Sequence, residues 1–477
     1  MGSLRTWDMD WSCHRIHEAS VRILERAGVD ILHPKARELF AQHGASVMGD
    51  RVFIPQQLLE NALSSAPAAF TIYSRNPARN VTVGGEHQVF APGYGPPFVI
   101  DSVRGRRRGS MDDYRDLVRL VHAAAHVDVN GGPIVEPQDV PHTVRHLDML
   151  AHTVMNSDKV FMGSVRGEKG ARDSLAIASV LFGGTGALRA RPVMISLINC
   201  ITPLKYDETM LGALMQYAAY GQPIVIASFA MAGSSAPVTL AGLLALQNAE
   251  VLAGVALSQL VSPGAPVVYG SASAITDMRR AGLAVGAPET ALIAAATAQM
   301  ARFYNLPSRC GGALTDSKLP DFQAGAESMM NLLVAACCGA NFILHAAGIL
   351  EHYMAISYEK VLVDNELIGM VKRLRKGFSA DEDSIADALI CQVGPGGDFL
   401  TTYHTFTHFR NGTFFPDLAD RHPYELWLES GERGMVDRGA ERWQQILASF
   451  EPPTPGEDQV KEIQQYVADR KREELGD

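Results

Sequence analysis

Arg309 and His345 each lie at the end of a short apolar run, and aromatic residues gather at the ends of similar runs elsewhere. Tyr94 and Phe98 stand in Pro92-Gly93-Tyr94-Gly95-Pro96-Pro97-Phe98, Phe229 precedes Ala230-Met231-Ala232-Gly233, Tyr269 precedes Gly270-Ser271, and Tyr353 follows His345 by eight positions. Carboxylates are scarce at these places. Hydrolytic metal centres need clustered His and carboxylate ligands, and acid–base sites need paired titratable groups; neither is concentrated here. Ring faces among small glycines suit a quaternary ammonium, whose charge has no N–H to donate and is stabilised by the ring quadrupole. A nearby guanidinium would take a carboxylate through its planar fork. The ligand these residue types describe is a zwitterion, a betaine. Each residue also has a plainer use: Arg309 as a helix cap or a partner of Asp316, His345 as a satisfied core residue, Tyr94 and the other rings as plugs of a core. The residues alone leave both readings open.

The elements that must position them follow a regular rhythm. Short β-rich apolar runs recur at 88–92, 127–132, 160–164, 192–199, 223–229, 266–270, 307–311 and 340–345, each followed by a helix-compatible stretch. Continuous apolar strands alternating with helices are the pattern of a parallel sheet buried on both faces. Eight such units predict a closed (β/α)8 TIM barrel of the α/β class rather than an open doubly wound sheet, which would need a Gly-rich phosphate loop after its first strand. In such barrels the chemistry sits on loops at the C-terminal ends of the strands, which is where Tyr94, Arg309, His345 and, after the fourth strand, Asn199-Cys200-Ile201-Thr202-Pro203 fall. Residues 12–65 read as helical, 70–83 as strand-like with a break at Asn76-Pro77, and beyond Glu351 strands are expected to stop, with helices over 356–376, 384–409 and 424–474. The expected organisation is an N-terminal helical and β cap over 1–86, the barrel over 87–350 and a C-terminal helical segment over 351–477.

The 477 residues carry 42 Lys and Arg against 52 Asp and Glu, a formal charge of −10, with 47% hydrophobic and 20% charged residues. This is ordinary for a large folded protein, long enough to bury a sizeable core. The acidic balance argues against a nucleic-acid surface, and the basic run Arg104 to Arg108 reads as a solvated hairpin loop. Six scattered cysteines without CxxC spacing fit a reducing compartment. The N-terminal 19 residues mix charges and aromatics where a leader peptide needs an apolar run. The longest apolar stretches, such as 223–231, fall short of a bilayer span, so a cytoplasmic location without a membrane partner is expected.

Two longer segments carry a resemblance. Met231-Ala232-Gly233-Ser234-Ser235-Ala236-Pro237-Val238-Thr239-Leu240-Ala241-Gly242 with Gln247-Asn248-Ala249-Glu250-Val251-Leu252-Ala253-Gly254, and Thr315-Asp316-Ser317-Lys318-Leu319-Pro320-Asp321-Phe322-Gln323-Ala324-Gly325 with Glu327, together with Pro92-Gly93-Tyr94-Gly95, resemble the trimethylamine methyltransferase superfamily over roughly 12–442. That resemblance implies a (β/α)8 barrel that moves a methyl group from a methylated amine to a corrinoid (cobalamin-type) cofactor on a separate corrinoid protein. Founding members use pyrrolysine, and no non-standard residue is written here. A quaternary amine leaves as a neutral amine without further activation, so the departure favours a quaternary substrate. The pyrrolysine-free branch implies glycine betaine, giving dimethylglycine; the alternatives are proline betaine, carnitine or another quaternary amine, and a betaine-binding protein without catalysis. By the same resemblance Arg309 and His345 fall where carboxylate-recognising residues are expected and Tyr94 in the ammonium-binding loop, with Phe98, Phe229, Tyr269 and Tyr353 as further cage candidates. No residue of the chain is assigned a catalytic role, because the corrinoid supplies the nucleophile. The chain lacks an Asp-x-His-x-x-Gly corrinoid-binding segment, so a partner protein must dock over the barrel mouth. A homo-oligomer remains compatible with the sequence.

Other motifs rank below these. His404 and His408 lie four apart on an expected helix and would place both rings on one face, a zinc-chelating spacing, but the local sequence offers no third ligand; a place near the docking face is the other use. No metal site is assigned. Asp316, Lys318 and Asp321 form a charged knot expected to shape a loop, with substrate contact as the alternative. Gly394-Pro395-Gly396-Gly397 lacks the Lys and Ser/Thr of a nucleotide loop and reads as a turn.

Overall fold

Every apolar run read from the sequence forms a strand. In a computed structural model, which describes residues 10–476, the barrel strands are β1 (Val89–Phe90), β2 (Val129–Gly131), β3 (Val160–Met162), β4 (Met194–Asn199), β5 (Ile224–Ser228), β6 (Val267–Ser271), β7 (Ser308–Gly311) and β8 (Phe342–Leu344). They run parallel in the order β1-β8-β7-β6-β5-β4-β3-β2. The Asp128 N–H donates to the Phe90 carbonyl at 2.8 Å and closes the ring between β1 and β2. The chain is a (β/α)8 barrel, with α1 (Met111–Ala123), α2 (Arg145–Asn156), α3 (Gly167–Phe182), α4 (Glu208–Ala219), α5 (Leu240–Val261), α6 (Pro288–Phe303), α7 (Phe322–Cys337) and α8 (Tyr358–Lys376) outside it. The eighth helix lies beyond residue 350, where the sequence reading ends the barrel.

Strand alternation decides which residues meet the lumen. Val129, Val160, Met162, Ile195, Leu197, Val225, Ala227, Val268, Phe342 and Leu344 form the inner cluster, joined from below by Phe70, Ile72, Val81 and Val83. Those four belong to the hairpin Ala69–Ile72 and Val81–Gly84, which plugs the N-terminal end, so the barrel is a packed core rather than a pore. The intervening residues, among them Ile198, Ile226, Val267 and Tyr269, face the helix layer.

Several sequence expectations are corrected. The region 12–65 also contains the three-stranded sheet Val29–Ile31, Ser46–Met48 and Arg51–Phe53, which pairs with Lys205–Tyr206. Strands do not stop at Glu351: Ala355–Ser357 pairs in parallel with Phe98–Asp101, because a short extended segment there completes a sheet already begun near β1. The helix expected over 384–409 is broken into Glu382–Ile385, Asp387–Val393 and Tyr403–Gly412, with Gly394-Pro395-Gly396 lying in the gap. The basic run is the largely exposed hairpin its sequence predicts, and its arginines are also engaged in ion pairs. Its strand Gly105–Arg108 pairs with Phe98–Asp101, Arg104 and Arg107 pair with buried Asp101 and Asp113, and Arg106 pairs with Glu351 at 3.0 Å. The 22 residues of α5 are long and apolar enough to cross a membrane, contrary to the reading of short apolar stretches, but 83% of that window is buried inside the protein. None of the six cysteines forms a disulfide. The first nine residues, on which part of the leader-peptide reading rests, lie outside the described ones.

The C-terminal helix Glu457–Leu475 lies outside the barrel against α2 and α3, burying Ile463 and Val467. Asp173 fastens it, accepting from His146 Nε2 (2.8 Å), Tyr466 Oη (2.7 Å) and Arg470 Nε (2.8 Å). Burial alone would raise this carboxyl, but those hydrogen bonds prevail and hold it at about 2. The resulting stability is present above the ordinary carboxylate range and is lost as the pH falls toward 2. Asp173→Asn is expected to destabilise the protein by roughly 3 kcal/mol, as when one partner leaves a buried charged pair. Urea unfolding at neutral pH checks this; an unchanged midpoint would remove Asp173 from the fastening.

Candidate functional site

The register of the sheet brings Asn199, Ala227, Gly270 and Arg309 side by side across β4, β5, β6 and β7 at the upper end of the lumen. Two small residues thus leave space between a polar amide and a guanidinium. Arg309 is fully buried. Its Nη1 donates to the Ser271 carbonyl, while Nε and Nη2 have no partner, and neither does the buried Oδ1 of Asn199. Burial disfavours the Arg309 charge and lowers its pKa. A buried cation with two open donors is costly unless an anion fills the fork.

Aromatic groups surround it. His345 sits at the end of β8 in the left-handed region, φ 58°, and its Nδ1 accepts the Tyr94 backbone N–H at 3.2 Å. Burial, and then the charge of Arg309, hold His345 well below its ordinary pKa. The ring is therefore neutral, and because Nδ1 accepts, its proton resides on Nε2 and can be donated. The Tyr353 ring lies 4.7 Å from that of His345, and Phe229 meets Tyr353 edge-on at 6.1 Å. Burial raises the hydroxyl pKa of Tyr353 to about 12 and that of Tyr94 further, so both phenols stay neutral. Tyr94 lines a small cleft with Gly132, Glu136, Met162, Ser164 and Arg166.

Tyr353 owes its place to strain held from two sides. Glu351, His352 and Tyr353 are consecutive left-handed residues, φ 52°, 53° and 72°, each costing about 1–2 kcal/mol without glycine. Arg106 grips Glu351 through two hydrogen bonds of 3.0 and 3.2 Å. Asp316 accepts from His352 Nδ1 at 2.7 Å; burial would raise its carboxyl, but His352 and backbone donors lower it. The basic run and the charged knot thus serve one turn. Lys318 Nζ donates to the Asp316 carbonyl, and Asp321 caps α7 at the Ala324 N–H.

The polar face of α5 sets the strand ends. Gln247 Oε1 accepts from Ser271 Oγ at 2.7 Å, fixing the residue whose carbonyl holds Arg309. Glu250 accepts from Cys200 Sγ (3.1 Å), Thr202 Oγ1 (3.0 Å), Ser228 Oγ (2.6 Å) and the Leu204 N–H (2.8 Å), joining the loop after β4 to the last residue of β5. Beyond them the loops following β4 to β8 expose Ile201, Phe229, Val238, Met278, Leu319 and Met354, an apolar rim to the mouth.

Of the residues singled out from sequence, Tyr94, Arg309, His345, Tyr353 and Phe229 gather. Tyr269 does not: it faces outward, donating to Asn248 Oδ1 at 2.8 Å and packing 6.0 Å from Tyr304, as the parity set by inward Gly270 requires. Phe98 lies in the side sheet with Ile100 and Leu350, one face covered by the Arg106 guanidinium at 3.7 Å. Nothing in the sequence signals the roles of Asn199, Glu250 and Gln247, although Asn199 ends a strand and the other two lie in the stretch 247–254 that carries the family resemblance.

His345 gives a pH prediction. Its folded pKa is depressed below an unfolded value near 6.5, so its contribution is complete above that pH and lost as the pH falls below it. Relative to His345→Gln, the wild type is expected to lose about 1.4 kcal/mol per pH unit below roughly 6.5. Unfolding at pH 7.5 and 5.5 measures it; parallel pH dependence in the two proteins would mean the ring is not held neutral.

Over residues 8–475 the chain matches the family described as Trimethylamine methyltransferase (MTTB). It is 48% identical over 459 residues to the glycine betaine methyltransferase of Desulfitobacterium hafniense (strain Y51), covering 96% of each chain. It is 32% identical over 467 residues to the proline betaine:corrinoid methyltransferase of Eubacterium limosum, covering 95% of each. Among solved structures it resembles the monomethylamine methyltransferase of Methanosarcina barkeri, with a TM-score of 0.53 at 13% identity, covering 97% of this chain and 93% of that one. That likeness shows a shared fold.

Proposed function

The chain belongs to the trimethylamine methyltransferase family, and on that premise we propose that it transfers a methyl group from glycine betaine to a corrinoid carried by a separate protein, releasing dimethylglycine. The observation that carries this reading is the buried Arg309 fork with two open donors beside neutral aromatic rings. Nε and Nη2 take the carboxylate, and His345 Nε2–H supplies a further donor. Tyr94, Tyr353 and Phe229 turn ring faces toward the trimethylammonium, which receives no hydrogen bond and needs none. Burial of Arg309 and His345 strengthens the carboxylate contact, and anchoring at the carboxylate orients the ammonium end toward the mouth.

The exposed apolar rim suits a broad macrocycle and the protein bearing it. When bound, the reduced corrinoid supplies the nucleophile that accepts the methyl group. The C–N electron pair stays on nitrogen and yields a neutral amine, so no side chain need give a proton, in keeping with a neutral His345 and neutral tyrosines. Incubating the purified chain with a reduced corrinoid protein and single methylated amines tests this. Dimethylglycine formed from glycine betaine, and no product from choline or trimethylamine, is expected. Turnover of trimethylamine with none of glycine betaine would overturn the substrate assignment.

A further inference from the structure

The segment 377–434 is folded with almost no core of its own. Leu418 is its sole buried residue, while Phe378 (91%), Leu400 (77%), Tyr403 (79%) and Phe406 (71%) are largely exposed. Its helices Glu382–Ile385, Asp387–Val393, Tyr403–Gly412 and Tyr424–Glu429 bury no side chain. Helices this short are marginal without packing or a cross-link. One point ties two of them together. His404 and His408 project from the same face of Tyr403–Gly412, ring centroids 4.3 Å apart. His408 Nε2 lies 3.1 Å from Asp383 Oδ2, and His404 Nε2 lies 3.1 Å from the Asp383 carbonyl. One donor atom from each of Asp383, His404 and His408 lies within 4.8 Å of the others.

We propose that Asp383, His404 and His408 form a binding site for a divalent transition-metal ion of the zinc class, which clips Tyr403–Gly412 to Glu382–Ile385. Nitrogen and carboxylate donors at about 2.0–2.2 Å from a tetrahedral ion stand a little over 3 Å apart, so the ion needs only small side-chain rotations and replaces the present hydrogen bonds. Two imidazoles and one carboxylate leave a fourth position for water, and the set is borderline-soft, favouring zinc over magnesium or calcium. The site lies apart from Arg309 and takes no part in substrate binding; it orders a segment that packing leaves loose.

The test uses the full-length chain without an affinity tag, stripped with chelator. Calorimetric titration with Zn2+ is expected to show a site that weakens by at least about tenfold in His404→Ala, His408→Ala and Asp383→Asn. Co2+ is expected to give visible absorption of a nitrogen- and oxygen-ligated ion that is absent from His408→Ala. Zn2+ is further expected to slow protease cleavage within 377–434 in the wild type and not in His408→Ala, with equal thermal midpoints for the two metal-free proteins. Zinc binding with unchanged stoichiometry and affinity in His404→Ala and His408→Ala, or no binding to the wild type, would overturn the proposal.

Discussion

Arg309→Ala is expected to weaken glycine betaine binding by about 2–4 kcal/mol, a roughly 30- to 1,000-fold rise in Kd. The size follows from burial: the side chain is fully enclosed, and its two open donors have no alternative partner among the described residues. The same circumstance makes the variant's fold robust. Without ligand the guanidinium holds one hydrogen bond, to Ser271, and removing an unfilled buried charge is neutral or stabilising. The metal-free, ligand-free protein is therefore expected to unfold at the same denaturant concentration or higher. Arg309→Lys restores charge without the planar fork and should recover little affinity. Calorimetry with glycine betaine and choline in parallel gives the decisive contrast: the wild type prefers the carboxylate-bearing ligand, and Arg309→Ala loses that preference. Equal loss for both ligands would show that Arg309 shapes the pocket without holding the carboxylate.

Glu250→Ala is expected to destabilise the protein by roughly 3–5 kcal/mol and to abolish methyl transfer. Its carboxylate receives three donors from the loop following β4 and one from the last residue of β5, and each donor stranded in a dry interior costs about 1–3 kcal/mol. The first carries the exposed Ile201 and the second adjoins Phe229, so their release disturbs both the aromatic wall and the rim. Glu250→Gln keeps one acceptor oxygen but turns an amide N–H against the remaining donors, so it should fall between the two. Urea unfolding and ligand affinity, measured together, check this; a Glu250→Ala protein with wild-type stability would mean the network has another acceptor.

The barrel is legible because parallel strands buried on both faces read as unbroken apolar runs, here set off by Pro192, Pro223, Pro266 and Pro307. The three-residue strands near the N-terminus are too short to impose a period on the surrounding helical pattern. Arg309 draws notice in the sequence because a guanidinium within an apolar strand is costly to bury without an anion, and in the structure it does not pair with Asp316, whose side chain accepts from His352 instead. Tyr269 misleads for a reason the strand itself contains: it alternates with Gly270, which registers beside Arg309, so the tyrosine must face the helices. Phe98 misleads because two residues of separation from a loop can carry a ring onto another sheet. The role of Glu250 is hidden since its partners come from strands distant in sequence, and Asp383 is hidden from His404 and His408 by an intervening helix and turn.

Crystals of the protein grown with glycine betaine offer the most direct measurement. The carboxylate is expected within hydrogen-bonding distance of Arg309 Nε and Nη2, with the methyl groups against Tyr94 and Tyr353 and directed to the mouth. A ligand bound in the reverse sense, or a lumen holding only water at saturating betaine, would contradict it.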